Sequence, residues 1–70
     1  MEVWIVRFFV QGDHGSHLIG IFDSLESALE AREKFGRPEW APRTLSWTSV
    51  ERYELNKYYA EDEEGEWILP

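Results

Sequence analysis

Asp13-His14-Gly15-Ser16-His17 brings the only two imidazoles of this chain together with a carboxylate and a hydroxyl. Two histidines three residues apart, with a carboxylate beside them, could hold a Zn²⁺ or Ni²⁺ ion if the turn folded inward. A structural zinc site needs four ligands, and the chain has no cysteine and no third histidine to complete the set. A Ser-His-Asp triad is weaker still, because adjacent residues of one loop do not line up nucleophile, base and orienting group. The expectation is a polar hairpin loop in which Asp13 caps the turn and His14 and His17 face solvent. Glu51 and Glu54, beside Arg52 and Tyr53, are the other candidates for acid–base work. Such work needs one carboxyl desolvated and one ionised in a single cleft, whereas charge pairing across a sheet accounts for both residues. Gly12, Gly15 and Gly20 fit no phosphate-cradling pattern. No catalytic residue, metal ligand or cofactor is expected, and the chain is read as non-enzymatic.

The aromatic residues say more. Trp40, Trp47, Tyr53, Tyr58, Tyr59 and Trp67 all lie in the C-terminal half. Trp and Tyr offer large contact area at low entropic cost and are enriched where proteins dock. The competing reading is that these rings fold back over a second face of the sheet. Charge adds a further signal. Fourteen acidic against seven basic residues give a net charge of −7, and five of the negative charges fall within Glu61-Asp62-Glu63-Glu64-Gly65-Glu66. An acidic chain repels phosphate backbones, so direct nucleic-acid binding is not expected. The run reads either as a solvated turn or as part of a docking surface. The residues proposed to meet a partner are Trp40, Trp47, Tyr58 and Trp67, with Glu61, Asp62, Glu63 and Glu64. An alternative is a phage-type nucleic-acid mimic, in which Glu61 to Glu66 with Glu51 and Glu54 space their carboxylates like phosphates and occupy a DNA-binding protein.

Those residues must be positioned by few elements. Seventy residues make one domain close to the lower limit for a fold without staples, and 43% hydrophobic content suits an unaided core. No stretch is long enough for a membrane span; Glu2 argues against a signal peptide, and a cytoplasmic location is expected. Val3-Trp4-Ile5-Val6-Arg7-Phe8-Phe9-Val10 is apolar on both faces apart from Arg7, so it reads as a central strand over residues 2–10. Gln11 to Ser16 form a turn, and His17 to Phe22 a second, antiparallel strand. Asp23 with Glu26 predicts a capping box. Leu25, Ala28, Leu29, Arg32 and Phe35 then predict one helical stripe, ended by Gly36 and Pro38. Residues 37–47 read as an irregular Trp-rich loop, and 48–59 as a third strand with a bulge or face switch near Arg52. Glu66 to Leu69 could add a short fourth strand. The expected fold is α+β: a three- to four-stranded, mainly antiparallel sheet of order 2-1-3 with one helix on one face. The core is placed in residues 2–59 and the acidic turn and short C-terminal segment in 60–70.

The succession of Val-Trp-Ile-Val, a Gly/Asp-rich turn, His-Leu-Ile-Gly-Ile-Phe, Ser-Leu-Glu-Ser-Ala and Val-Glu-Arg-Tyr-Glu-Leu resembles a small uncharacterised family of bacterial and phage ββαβ domains. The resemblance covers roughly residues 2–57 and rests on hydrophobic patterning. It implies a fold and no activity, and it does not reach the Trp-rich loop or the acidic tail. The reading as a whole is a small acidic protein-interaction or regulatory module, with an unidentified protein partner and a possible homodimer, and with no membrane partner.

Overall fold

A computed structural model describes residues 1–12, 15–41, 45–61 and 63–69. Five elements follow in chain order: β1 (Glu2–Val10), β2 (His17–Phe22), α1 (Leu25–Phe35), β3 (Ser46–Glu54) and β4 (Glu66–Leu69). They form one four-stranded sheet of order β2-β1-β3-β4, antiparallel throughout, with the helix on one side. β1 sits between β2 and β3, as its two apolar faces require. Its pairing with β3 runs without a break from Glu2↔Glu54 to Val10↔Ser46.

Alternation along β1 assigns every neighbour to a face, since residues directly opposite in a ladder share one. Val6 and Phe8 are fully buried on the helix side. Val6 forms a core cluster with Ala28 and Val50, with Trp4, Ile19, Phe22, Leu25, Ile68 and Leu69 packed around it. Complete burial of an aliphatic or aromatic side chain stabilises by about 1.5–3 kcal/mol before entropy is counted. The helix presents Ala28 and Ala31 to the sheet, and these small side chains let its axis come close. Leu29 and Phe35, expected in the stripe, are exposed instead; Phe35 has the inward phase but is the last residue of the helix.

The helix cap is displaced by one residue from the expected place. Ser24, not Asp23, is the N-cap, with φ −144° and ψ 150°, and its Oγ accepts from the Ser27 backbone N–H at 3.2 Å. Glu26 therefore falls at the second helical position, and the capping box is not made. It still lies in the first turn, where a negative charge favours the helix dipole. Lys34 donates to Glu30 at 2.6 Å on the solvent side and holds that carboxyl below its ordinary value by hydrogen bond and charge. The C-cap Gly36 has a right-handed φ of −70°, so backbone handedness does not demand glycine there. Proximity does: a Cβ at this position would overlap the Arg32 carbonyl oxygen and come 2.9 Å from Thr48 Cγ2. Thr48 Oγ1 donates to the Gly36 carbonyl at 2.6 Å and Arg32 Nε donates to the Thr48 carbonyl at 2.9 Å, tying the helix end to β3.

The third strand is shorter and earlier than expected, ending at Glu54. Leu55 lies in the following turn, where Asn56 takes a left-handed φ of 65°. Val50 faces the helix and Tyr53 the other side by simple alternation, so no bulge is needed near Arg52. Register shifts fall in the outer pairings instead, between Val6 and Arg7 opposite β2 and between Val50 and Glu51 opposite β4.

Replacing Phe8 by Ala should remove about 3–5 kcal/mol. That is comparable with the whole stability of a domain this small, so circular dichroism should show the variant largely unfolded at 25 °C.

Candidate functional site

The side of the sheet away from the helix carries the unusual chemistry. β1 sends Val3, Ile5, Arg7 and Phe9 to it, and the ladder places Tyr53, Glu51, Ser49 and Trp47 of β3 opposite them in that order. Trp67 of β4 lies opposite Glu51, and Leu18 and Ile21 of β2 lie opposite Arg7 and Ile5. Among the described residues no helix covers this face. Leu18 and Ile21 are 61% and 58% exposed, and Trp47 and Trp67 are 43% and 41% exposed.

Its centre is nevertheless polar and dry. Glu51 is 4% exposed and Ser49 fully buried. Arg7 Nε lies 3.0 Å from Glu51 Oε2, and Tyr53 Oη donates to Glu51 Oε1 at 3.2 Å. Arg7 also reaches Ser16 Oγ at 3.4 Å. The roof is Trp67. Its backbone is on β4, yet its ring stacks on Phe9 of β1, with centroids 6.0 Å apart. The indole must therefore cross β3, over the row that holds Ser49 and Glu51. Trp47 stacks on the same Phe9 ring at 5.3 Å and 9°. Trp67 Nε1 donates to Glu64 Oε2 at 3.0 Å, so one carboxylate of the acidic turn orients the roof.

Burial pushes the Tyr53 phenol above its ordinary value of 10.0; a backbone hydrogen bond from Gly65 draws it partly back, and the Glu51 charge raises it again. Tyr59 packs edge-on against Tyr53 at 5.1 Å and its hydroxyl accepts from the Glu54 N–H at 2.9 Å.

The expected partner residues separate into groups. Trp47 and Trp67 meet on Phe9, and Glu64 joins them through the indole N–H. Trp40 belongs to the other side, edge-on against the buried Phe8 at 5.7 Å and His17 at 4.9 Å. Tyr58 is 86% exposed. Glu61 and Glu63 are exposed in the turn, with Glu63 3.9 Å from Lys57. Asp62 and His14, with Asp13, lie outside the described residues. Among the described residues no three His, Asp or Glu side chains gather in a way that could hold a metal. Glu51 and Glu54 project to opposite faces and share no cleft. A shallow groove of about 310 Å³ lies among Glu2, Arg52, Glu54, Lys57 and Glu66, where Arg52 pairs with both Glu2 and Glu66.

Spacing along the chain named Trp47, Trp67 and Glu64 but missed Leu18, Ile21 and the Arg7–Glu51 pair. Arg7 alone carried a usable signal, as the one charge within an apolar central strand. No match is found for the chain among family models, curated proteins or solved structures. No helix is long and apolar enough to cross a membrane among the described residues.

Removing one partner of a buried pair leaves the other uncompensated. Glu51→Ala should cost about 1–3 kcal/mol in urea unfolding, the partly exposed Arg7 limiting the loss. The apolar double variant Arg7→Met/Glu51→Leu should recover most of it. Tyr53 should ionise above the ordinary tyrosine range in an alkaline absorbance titration. Because its folded value is raised, its contribution to stability is complete below pH 10 and disappears as pH rises through that higher value. Tyr53→Phe should abolish this alkaline component.

Proposed function

We propose that this protein is a non-catalytic protein-interaction module that docks through the sheet face opposite the helix. One observation carries the reading: Leu18, Ile21, Trp47 and Trp67 stand exposed on a single face, around the Arg7–Glu51 ion pair, whose charged atoms approach to 3.0 Å. Contiguous apolar surface rimmed by polar groups is costly to leave in water and marks interaction sites. Tryptophans at such positions supply much of the binding energy. The alternative of the aromatics folding back is partly realised, since Trp67 roofs Ser49 and Glu51, but the outer surfaces of both indoles stay open.

Nothing in the geometry favours the nucleic-acid mimic equally. Its stripe would need Glu51, which is buried against Arg7, and Glu66, which pairs with Arg52. A cytoplasmic setting accords with a chain that relies on no disulfide.

The test is capture by the immobilised full chain, scored for second copies of itself and for foreign proteins alike. Trp47→Ser should lose at least about 30-fold in affinity, as a central aromatic does at such a surface. Phe35→Ser, on the helix side, should bind as the unmodified chain does. Absence of any captured species, or equal loss in both folded variants, sinks the reading.

A further inference from the structure

Charge on this molecule is sorted by face. Alternation sends the strand carboxylates Glu2, Glu54 and Glu66 to the helix side with one cation, Arg52, and the helix adds Glu26, Glu30 and Glu33 there against Arg32 and Lys34, so carboxylates stay in excess on that side. The open face receives one strand carboxylate, Glu51, and one strand cation, Arg7, paired 3.0 Å apart. A chain with a net charge of −7 thus presents one broad surface whose strand charges cancel. Glu64 reaches only its margin, engaged by the Trp67 indole. A partner chosen for opposite charge would gain nothing at such a surface. An identical surface meets no repulsion there.

We propose that the occupant is a second copy of this chain, the two open faces closing on each other about a two-fold axis. The inference rests on the interaction-module reading and identifies its partner. A two-fold axis brings the same patch of both copies together, so the patch has to complement itself, and sheets pack face to face about 10 Å apart when both inner faces are apolar. Size agrees. The Cα trace measures 35 × 27 × 15 Å, a slab whose broad side is of the order of the ~800 Å² per partner buried in a standard interface.

Edge-to-edge pairing, the other way for sheets to associate, is disfavoured on both sides. The register shift in β2 leaves Ile19 as an extra residue between Leu18 and Gly20, and that in β4 leaves Ile68 between Trp67 and Leu69. Bulges of this kind interrupt the row of backbone groups that a second chain would need. Association is thereby directed to the face. There Leu18 and Ile21 on the β2 side stand ready to cover the rings of Trp47 and Trp67 from the facing copy.

Sedimentation equilibrium of the full chain, from low to high micromolar concentration, tests this directly. The expected result is a dimer mass. Ile21→Lys should weaken association at least about tenfold by placing a charge in the dry interface. Phe35→Lys should dimerise as the unmodified chain does, with circular dichroism confirming that both are folded. Acrylamide quenching in a Trp40→Phe background, where half-buried Trp4 on the helix side adds a constant contribution, reads the same event without altering the face: quenching should fall as concentration rises and the Trp47 and Trp67 indoles are covered. A monomer at every concentration, unchanged quenching, or a dimer indifferent to Ile21→Lys overturns the inference. Foreign proteins captured through Trp47 by a monomeric chain would overturn it while leaving the interaction-module reading intact. Loss of both forms of capture removes the two together.

Discussion

The structure depends on the position of β1 between two neighbours. A strand bonded on both edges and apolar on both faces must be covered above and below, and the described residues hold one helix, of eleven residues, with which to do it. That helix covers Val6 and Phe8 through Ala28 and Ala31. The opposite side is left to whatever the sheet itself supplies: Trp67 leaning across β3, Trp47 on Phe9, and Tyr59 against Tyr53. The partial roof and the exposed rim follow from the same shortage of covering layers. The burial of Glu51 follows too, since it lies under the roof that the shortage calls for.

This arrangement explains how an ion pair can sit within a surface that otherwise reads as apolar. Arg7 and Glu51 occupy adjacent strands of an unbroken ladder, one row apart, and Tyr53 supplies a further donor. A buried pair adds little net stability compared with well-packed apolar side chains. It does fix which residues of β1 and β3 may lie near one another, because a slip of one residue would send Arg7 to the opposite face from its partner. The pair therefore acts on register more than on stability.

Much of the fold was legible in the sequence because it is written in period-two and period-3.6 patterns. The span of β1, the span of β2, the helix and the short β4 all have such patterns, and the strand order follows from the apolar content of β1. The errors arose where short-range cues compete. Asp23 and Ser24 are both good caps, and the choice between them depends on where β2 ends. Phe35 has the phase of the apolar stripe, but as the last residue of the helix it stays exposed. A bulge near Arg52 is expected only if Val50, Tyr53 and Leu55 share a face; Tyr53 instead lies on the open face by plain alternation and Leu55 lies beyond the strand. The site was less legible for a different reason. Leu18 and Ile21 look like ordinary strand residues, and their exposure follows from there being no second helix among the described residues to cover them. That Trp67 crosses a neighbouring strand is a matter of three-dimensional reach that no spacing along the chain encodes.

The order in which contacts can form has a bearing on β4. The β1–β2 hairpin and α1 are local in sequence, whereas β3 can join β1 only after the intervening helix and loop close, a step that costs chain entropy before it is rewarded. β4 bonds to β3 alone and spans four residues, so it is the element with least to hold it. Short elements of this kind open and reclose well below the cost of global unfolding. Each opening lifts Trp67 away and lets water reach Ser49 and Glu51. The dry centre of the open face is thus governed by the weakest strand of the sheet, and its hydration fluctuates with the fraying of β4 rather than with the stability of the core.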